Sequence, residues 1–275
     1  MSKTVEKALQ LLEIFTEEKP YWRLDEISKY TEIPKPTAYR LLKKFVQFGY
    51  LQRISFQQDD LVIDGEVYGL GTKFLELGER VAGRLDIRQI AYPYMKKIQM
   101  QFNEAVQIVM REQNQGIYIE KIDSTRPVRL YTRVGRYAPL YAGACTRTLL
   151  AYLSDDEIDR ILESPLTQYA SQTPTSIDEV LKLVEQTRES GFAYSDSELE
   201  EGSVSIAVPI FDRFGTVPYS ISMAGFSTNL PKEKVAIFVG PLWEAAAEIS
   251  KKIGYTVPYP YGENFKHKQK EENRL

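Results

Sequence analysis

The sequence predicts an α+β chain of more than one domain, and three observations carry that reading. Residues 22–53 hold two short apolar stripes at helical spacing, separated by prolines. From Ala105 onward the texture changes to alternating, β-branched runs, followed by helical patterns and then by further runs. At 275 residues, with 43 % apolar and 12 % aromatic content, the chain exceeds one typical domain and can fill separate cores.

The first element is an amphipathic helix over Thr4 to Phe15, with Thr4 placed as its N-cap and Val5, Ala8, Leu9, Leu11, Leu12 and Phe15 apolar. Leu24, Ile27, Ile33, Ala38, Leu41, Leu42 and Phe45 then form the paired stripes of two packed helices. Pro34 disfavours helical geometry at Ile33, and Pro36 suits the first turn of the second helix. That second helix keeps Lys35, Thr37, Tyr39, Arg40, Lys43 and Lys44 off the core face, and Gly49 stops it. A helix-turn-helix of this kind enters a DNA major groove, where hydroxyls and long basic side chains meet phosphates and base edges. The plainer reading is an amphipathic helix pair with a solvated charged face.

Charge favours the DNA reading. Between Arg23 and Arg53 seven Lys/Arg stand against three acids, a local net of +4, while the whole chain is −3. A non-selective nucleic-acid coat needs global positive charge, so a reading module joined to something else fits better. Lys35, Pro36, Thr37, Tyr39, Arg40, Lys43, Lys44 and Arg53 are the DNA-binding candidates.

Leu51 to Leu70 should form two strands joined by a loop at Gln57-Gln58-Asp59-Asp60, a wing whose acidic tip argues against strong phosphate contact. Phe74 to Leu85 and Ile87 to Phe102 read as helices. The first is a connector whose apolar face pairs either with a second subunit or within the chain. The expected boundaries are 1–71 for the winged helix, 72–86 for the linker helix, 87–256 for the second domain and 257–275 for a charged, disordered tail.

In the second domain, residues 106–110, 116–122 and 128–134 are expected strands; residues 146–153, 155–162 and 177–190 are expected helices. Residues 203–211 and 217–225 follow as strands joined by a turn at Asp212-Arg213-Phe214-Gly215, and a closing helix over 232–253 should be interrupted near Pro241. This order suggests a largely antiparallel sheet.

Enzyme chemistry finds little support. The sole histidine, His267, sits in the charged tail, and one cysteine makes neither a zinc cluster nor an intrachain disulfide. Nucleotide-binding glycine motifs and a nucleophile elbow are missing. No cofactor is implied. Carboxylate-only catalysis and a ligand-free architectural DNA-binding protein stay as alternatives. With no basic-then-apolar leader and no run of about 18 apolar residues, the expectation is a cytoplasmic protein without membrane partners.

Four segments resemble the IclR family of bacterial transcriptional regulators: VEKALQLLEIF, IPKPTAYRLLKKFVQFGYL, YGLGTKFLELG and GFAYSDSELEEGSVSIAVPIFDRFG. The resemblance covers about residues 4 to 254. It implies a winged helix-turn-helix, a linker helix and a C-terminal effector domain with a curved antiparallel sheet flanked by helices, in the manner of GAF and profilin-like domains. It also implies a double-stranded DNA operator, a small-molecule effector, and a homodimer or tetramer. Carried across, the effector site lies at Gly143, Ala144, Cys145, Thr146, Ser195, Asp196, Ser205, Ser222 and Ala224. Here the family's GKA is Thr146-Arg147-Thr148, its first acid is Ser195 and its frequent cysteine is Ser205, so the ligand class departs from the common pattern.

Physically, Gly143 would let backbone approach a ligand, and the following helix N-terminus is an anion site in principle. Ser205 and Ser222 add hydroxyls, which points to a polar or acidic effector; alternatively Gly143 serves a tight turn and the serines bond to backbone. Arg126, Arg129, Arg133 and Arg136, placed around the strand expected at 128–134, either attract an anionic effector or are solvated. Cys145 reads as a packed thiol.

Overall fold

The computed structural model describes residues 3–16, 18–54, 67–82, 86–130 and 132–261. The expected wing tip at Gln57 to Asp60, residues 83–85 at the end of the expected linker helix, and the tail with His267 lie outside them. The chain divides into two compact units, Met1–Leu85 and Asp86–Leu275.

In the first unit, α1 (Lys3–Glu13), α2 (Leu24–Thr31) and α3 (Lys35–Gln47) enclose a core of Leu11, Ile14, Ile27, Ile33, Ala38 and Leu42. The apolar stripes dictate this, since each helix has only one face to bury. Arg23 and Glu26 start α2 together, the Arg23 N–H donating to Glu26 Oε2 at 2.8 Å. That bond and the neighbouring Lys19 hold the Glu26 carboxyl below its ordinary range. Glu32, left-handed at φ 58°, ends α2, and Ser28 Oγ donates to Ile33 O across the turn. Trp22 Nε1 donates to Ile14 O and Lys19 O, pinning the strand β1 (Trp22–Arg23) beneath α1. β1 joins β2 (Leu51–Ile54) and β3 (Val67–Leu70) in a three-stranded antiparallel sheet of order β1-β3-β2, one strand more than the sequence suggests. α4 (Lys73–Ala82) follows.

The second unit is built on a six-stranded antiparallel sheet of order β6-β5-β4-β9-β8-β7. Its strands are β4 (Ala105–Glu112), β5 (Gln115–Ile122), β6 (Tyr137–Pro139), β7 (Ala193–Asp196), β8 (Ser203–Ile210) and β9 (Tyr219–Phe226). The helices are α5 (Asp86–Phe102), α6 (Ala144–Ala151), α7 (Asp155–Leu162), α8 (Ile177–Ser190) and α9 (Val235–Lys252). α5 and α9 pack on each other and on the sheet, and α6 packs across β4, β5, β8 and β9. Covered strands need no polar face, which is why β4, β8 and β9 are almost wholly buried. Every residue of α6 is buried.

Four details differ from the sequence reading. Residues 128–134 form no strand among the described residues, and the short β6 takes the edge beside β5 instead. β7 forms although its mixed sequence does not announce it, because β8 offers a pairing edge. Pro241 lies inside an uninterrupted α9. The carbonyl its ring frees belongs to Ile237, which is exposed, so water can take it. Finally, the chain stays packed beyond 257. Tyr259 Oη donates to Pro209 O, Tyr261 Oη donates to Arg188 O, and the Tyr261 ring lies on Gly191 so closely that a Cβ there would come within 2.2 Å.

Candidate functional site

The reading head is the outer face of α3. Ala38 and Leu42 face the core, so helical spacing puts Lys35, Pro36, Tyr39, Arg40, Lys43 and Lys44 in solvent, with Thr37 half-buried. Arg40 and Lys43 make no ion pair or hydrogen bond with another described residue. Lys35 Nζ pairs with Asp25 on α2, and Lys44 Nζ donates to Gln47 Oε1. Both Lys35 and Asp25 are exposed, and such a pair is easily traded for a phosphate. Arg53 lies on β2 with its guanidinium 5.9 Å from the Tyr68 ring centroid. The arrangement is a convex row of cations on a firmly packed helix.

The second site is a narrow, partly open cavity of about 40 Å³ at the N-terminus of α6. Of the residues carried over from the family pattern, Gly143, Cys145, Ser195, Ser205 and Ala224 line it. Ala144, Thr146 and Ser222 do not. Thr146 is fully buried and its hydroxyl donates to Ala142 O and Gly143 O, the latter at 3.0 Å, so it closes the turn rather than facing a ligand. Ser222 is fully buried beside the Cys145 thiol. Asp196 points into a separate, wide groove of about 1050 Å³ between α8 and β7, among further exposed acids.

Gly143 has φ 86°, so its backbone favours glycine, and a Cβ on it would lie 2.7 Å from Leu199 Cδ1, a methyl that would have to move aside. The close approach comes from the protein's own chain. The Gly143 N–H donates to Glu198 Oε2 at 2.8 Å, and Arg147 Nη1 reaches the same oxygen at 2.5 Å. Arg147 is 1 % exposed, and its Nη2 donates to Tyr194 O on the edge strand β7. The Ala144 N–H meets Ser205 Oγ at 3.4 Å. An internal carboxylate therefore occupies the helix N-terminus that the sequence offers to an outside anion, and Arg147 neutralises it.

Several polar side chains in the cavity are missing from the sequence reading. Gln107 on β4, Tyr118 on β5, Thr132 and Ser195 are each under 8 % exposed. This convergence of polar side chains on one cavity marks a place for a polar guest. A signal did exist: Gln107 interrupts the apolar run from Ala105 to Met110 of a central strand. Burial pushes the Tyr118 hydroxyl far above its ordinary pKa and pushes the Cys145 thiol up to about 11, so both are neutral at physiological pH. Arg136 pairs with Glu200 at the cavity edge. Arg126 pairs with Glu104, and Arg129 donates to Arg126 O, so the four arginines do not converge on one face. The described residues contain no group of three or more potential metal ligands and no helix long and apolar enough to cross a membrane.

Comparison with known proteins meets both sites. The family described as IclR helix-turn-helix domain matches residues 4–55, and that described as bacterial transcriptional regulator IclR C-terminal matches residues 79–251. The chain is 39 % identical over 256 residues to the HTH-type transcriptional regulator KipR of Bacillus subtilis, covering 93 % of this chain and 98 % of the relative. It is 32 % identical over 259 residues to the HTH-type transcriptional regulator KdgR of Escherichia coli, covering 94 % and 95 %. A solved IclR homolog from Microbacterium hydrocarbonoxydans, complexed with 4-hydroxybenzoate, superposes with a TM-score of 0.77 at 25 % identity, covering 91 % of this chain and 99 % of that one.

Proposed function

The chain belongs to the IclR family of bacterial transcriptional regulators, and we propose that it releases or engages its operator when a small hydroxy acid fills the cavity under α6. That it is a DNA-binding regulator with an effector-binding domain follows from the family. The assignment of residues is our own reading. Arg40, Lys43 and Lys44 contact phosphates or base edges, Lys35, Pro36, Thr37 and Tyr39 seat the start of α3, and Arg53 reaches the flanking backbone.

One observation carries the effector reading: four polar side chains, Gln107, Tyr118, Thr132 and Ser195, meet in one cavity of a chain that also exposes a cationic recognition helix. The Microbacterium homolog's 4-hydroxybenzoate supports a ligand with both hydroxyl and acid. The head binds as a pair, because one winged helix covers few base pairs and two-fold symmetry doubles the site. An effector that prefers one arrangement of the paired subunits shifts DNA affinity by the same coupling factor.

The test starts from DNA selected out of a random pool, with binding followed by fluorescence anisotropy and mass by light scattering. A panel of hydroxy acids is then titrated against the complex. Release or tightening by a hydroxy acid, lost in Gln107→Leu, is expected. A response confined to neutral apolar compounds, or a monomer on DNA, would sink the reading.

A further inference from the structure

The cavity is narrow. About 40 Å³ holds little more than one water, whereas ligand sites span roughly 300–1,000 Å³. Its cover is the β7–β8 turn, residues 197–202, which starts at Ser197 (φ 51°) and closes at Gly202 (φ 71°). Two side chains of this turn, Leu199 and Glu200, line the site, and Glu198 just before them anchors the turn beside it. Glu198 is fastened to Gly143 and Arg147, Leu199 packs on Gly143, and Glu200 pairs with Arg136. The first contact is deep and doubly bonded. The last is half-exposed, and Arg136 and Glu200 are the two charged residues among those lining the cavity.

The two partners are not equivalent. Arg136 stands on a fixed wall: the Tyr118 N–H donates to Arg136 O at 2.9 Å and the Gly135 N–H to Tyr118 O at 2.8 Å, tying this segment to β5. Glu200 stands on the turn. Displacing Glu200 leaves a guanidinium at the mouth, with the neutral hydrogen-bonding groups of Gln107, Tyr118 and Ser195 behind it.

Resting on the effector reading above, we propose that Arg136 is the residue that binds the effector's acid group, and that Glu200 holds its place and keeps the cavity narrow until a carboxylate replaces it. The ligand then lies with its acid at the mouth and its hydroxyl or carbonyl inward, opposite to an orientation that puts the acid on the α6 N-terminus, where Glu198 already sits. A planar guanidinium suits this exchange because it pairs with one carboxylate as well as another.

Cys145 reports on the cover, being the sole cysteine of the chain, 3 % exposed and part of the cavity wall. We would measure its alkylation by iodoacetamide in the full chain by mass spectrometry, alongside the melting temperature. Arg136→Gln and Glu200→Gln should each label about fivefold faster than wild type, the scale of opening a half-exposed ion pair, at unchanged melting temperature. The Arg136→Glu/Glu200→Arg exchange should return the rate to the wild-type value. Charge alone acts differently: losing Glu200 favours the thiolate and losing Arg136 disfavours it, so it moves the two rates in opposite directions. Opposite or unchanged rates, or no restoration in the exchange, overturn the gate. For the ligand class, sodium acetate against sodium chloride at equal ionic strength should speed labelling in wild type and not in Arg136→Gln. Equal rates in the two salts, or acceleration by methylammonium chloride instead, overturn the role of Arg136. Neither readout involves DNA, so a failed gate leaves the effector titration of the previous section standing.

Discussion

Two helix N-termini of this molecule differ in what they do. α3 begins at Pro34-Lys35-Pro36-Thr37 and α6 at Gly143-Ala144-Cys145-Thr146, and each presents the positive end of a helix dipole. At α3 the first turn is exposed and carries its own cations, with only the exposed Asp25–Lys35 pair nearby. At α6 the first turn is buried, and the carboxylate of Glu198 already bonds the Gly143 N–H while Arg147 neutralises it. An open terminus can recruit an anion from outside; a buried one must be satisfied from within, because an unbonded polar group in a core costs about 1–3 kcal/mol. The former serves recognition and the latter holds the fold.

Variants that strike each terminus sharpen the contrast. Arg147→Met should have the largest effect, since it strands the Glu198 charge in the core. A loss of about 3–5 kcal/mol in chemical denaturation is expected, and a loss below about 1 kcal/mol would show that Glu198 does not depend on Arg147. Gly143→Ala comes next, at about 1–3 kcal/mol, through backbone strain at positive φ and the clash with Leu199. Should Gly143→Ala melt with wild type, the requirement for glycine at this positive φ would be refuted.

Effects at α3 belong to binding, not stability. Arg40→Ala should weaken operator affinity and lower the salt slope by about 1 if its contact is a phosphate, with an unchanged denaturation midpoint; unaltered DNA affinity would remove Arg40 from the interface. The smallest effect is expected from Asp25→Asn, which frees Lys35 and should tighten DNA binding about two- to threefold, in keeping with the weakness of an exposed ion pair. Weaker binding would mean that Asp25 positions Lys35 instead of competing for it.

A pH experiment separates the units further. Arg23 and Lys19 hold Glu26 below its ordinary pKa, so its stabilising effect is present above the unfolded-state value and disappears as pH falls through the lower folded one. Burial raises Glu104, against the pull of Arg126, so the folded state favours its protonated form and that contribution is lost as pH rises through the raised value. In acid titrations of the melting temperature, Glu26→Gln should flatten the decline of the reading head, and Glu104→Gln should remove a gain of the second unit. Identical acid profiles for wild type and both variants would contradict these assignments.

Much of this was legible in advance. Both helices of the reading head, the central strands β4, β5, β8 and β9, and the family pattern around Gly191 to Gly215 follow from periodicity and motif. β6 and β7 were not, because a three- or four-residue edge strand takes its conformation from its neighbour. The strand expected at 128–134 failed for a related reason: alternation was present, but β6 holds the pairing edge of β5. In the cavity, Gly143, Cys145, Ser195 and Ser205 could be placed from the family pattern. Gln107 and Thr132 could not, since they lie far from that pattern in sequence and meet it only through the sheet.

Sequence by itself determined the helical and strand periods, the cationic face of α3, and kinship with a family of regulators, since each rests on neighbours along the chain. Only the tertiary structure decided which polar groups are paired and which face the cavity. The positive end of α6 draws an anion whatever its source. Pairing it with Glu198, 55 positions onward, required the turn after β7 to fold back over Gly143. That long-range closure, not the residue types at the helix start, moves the acid-reading role to the rim, at Arg136.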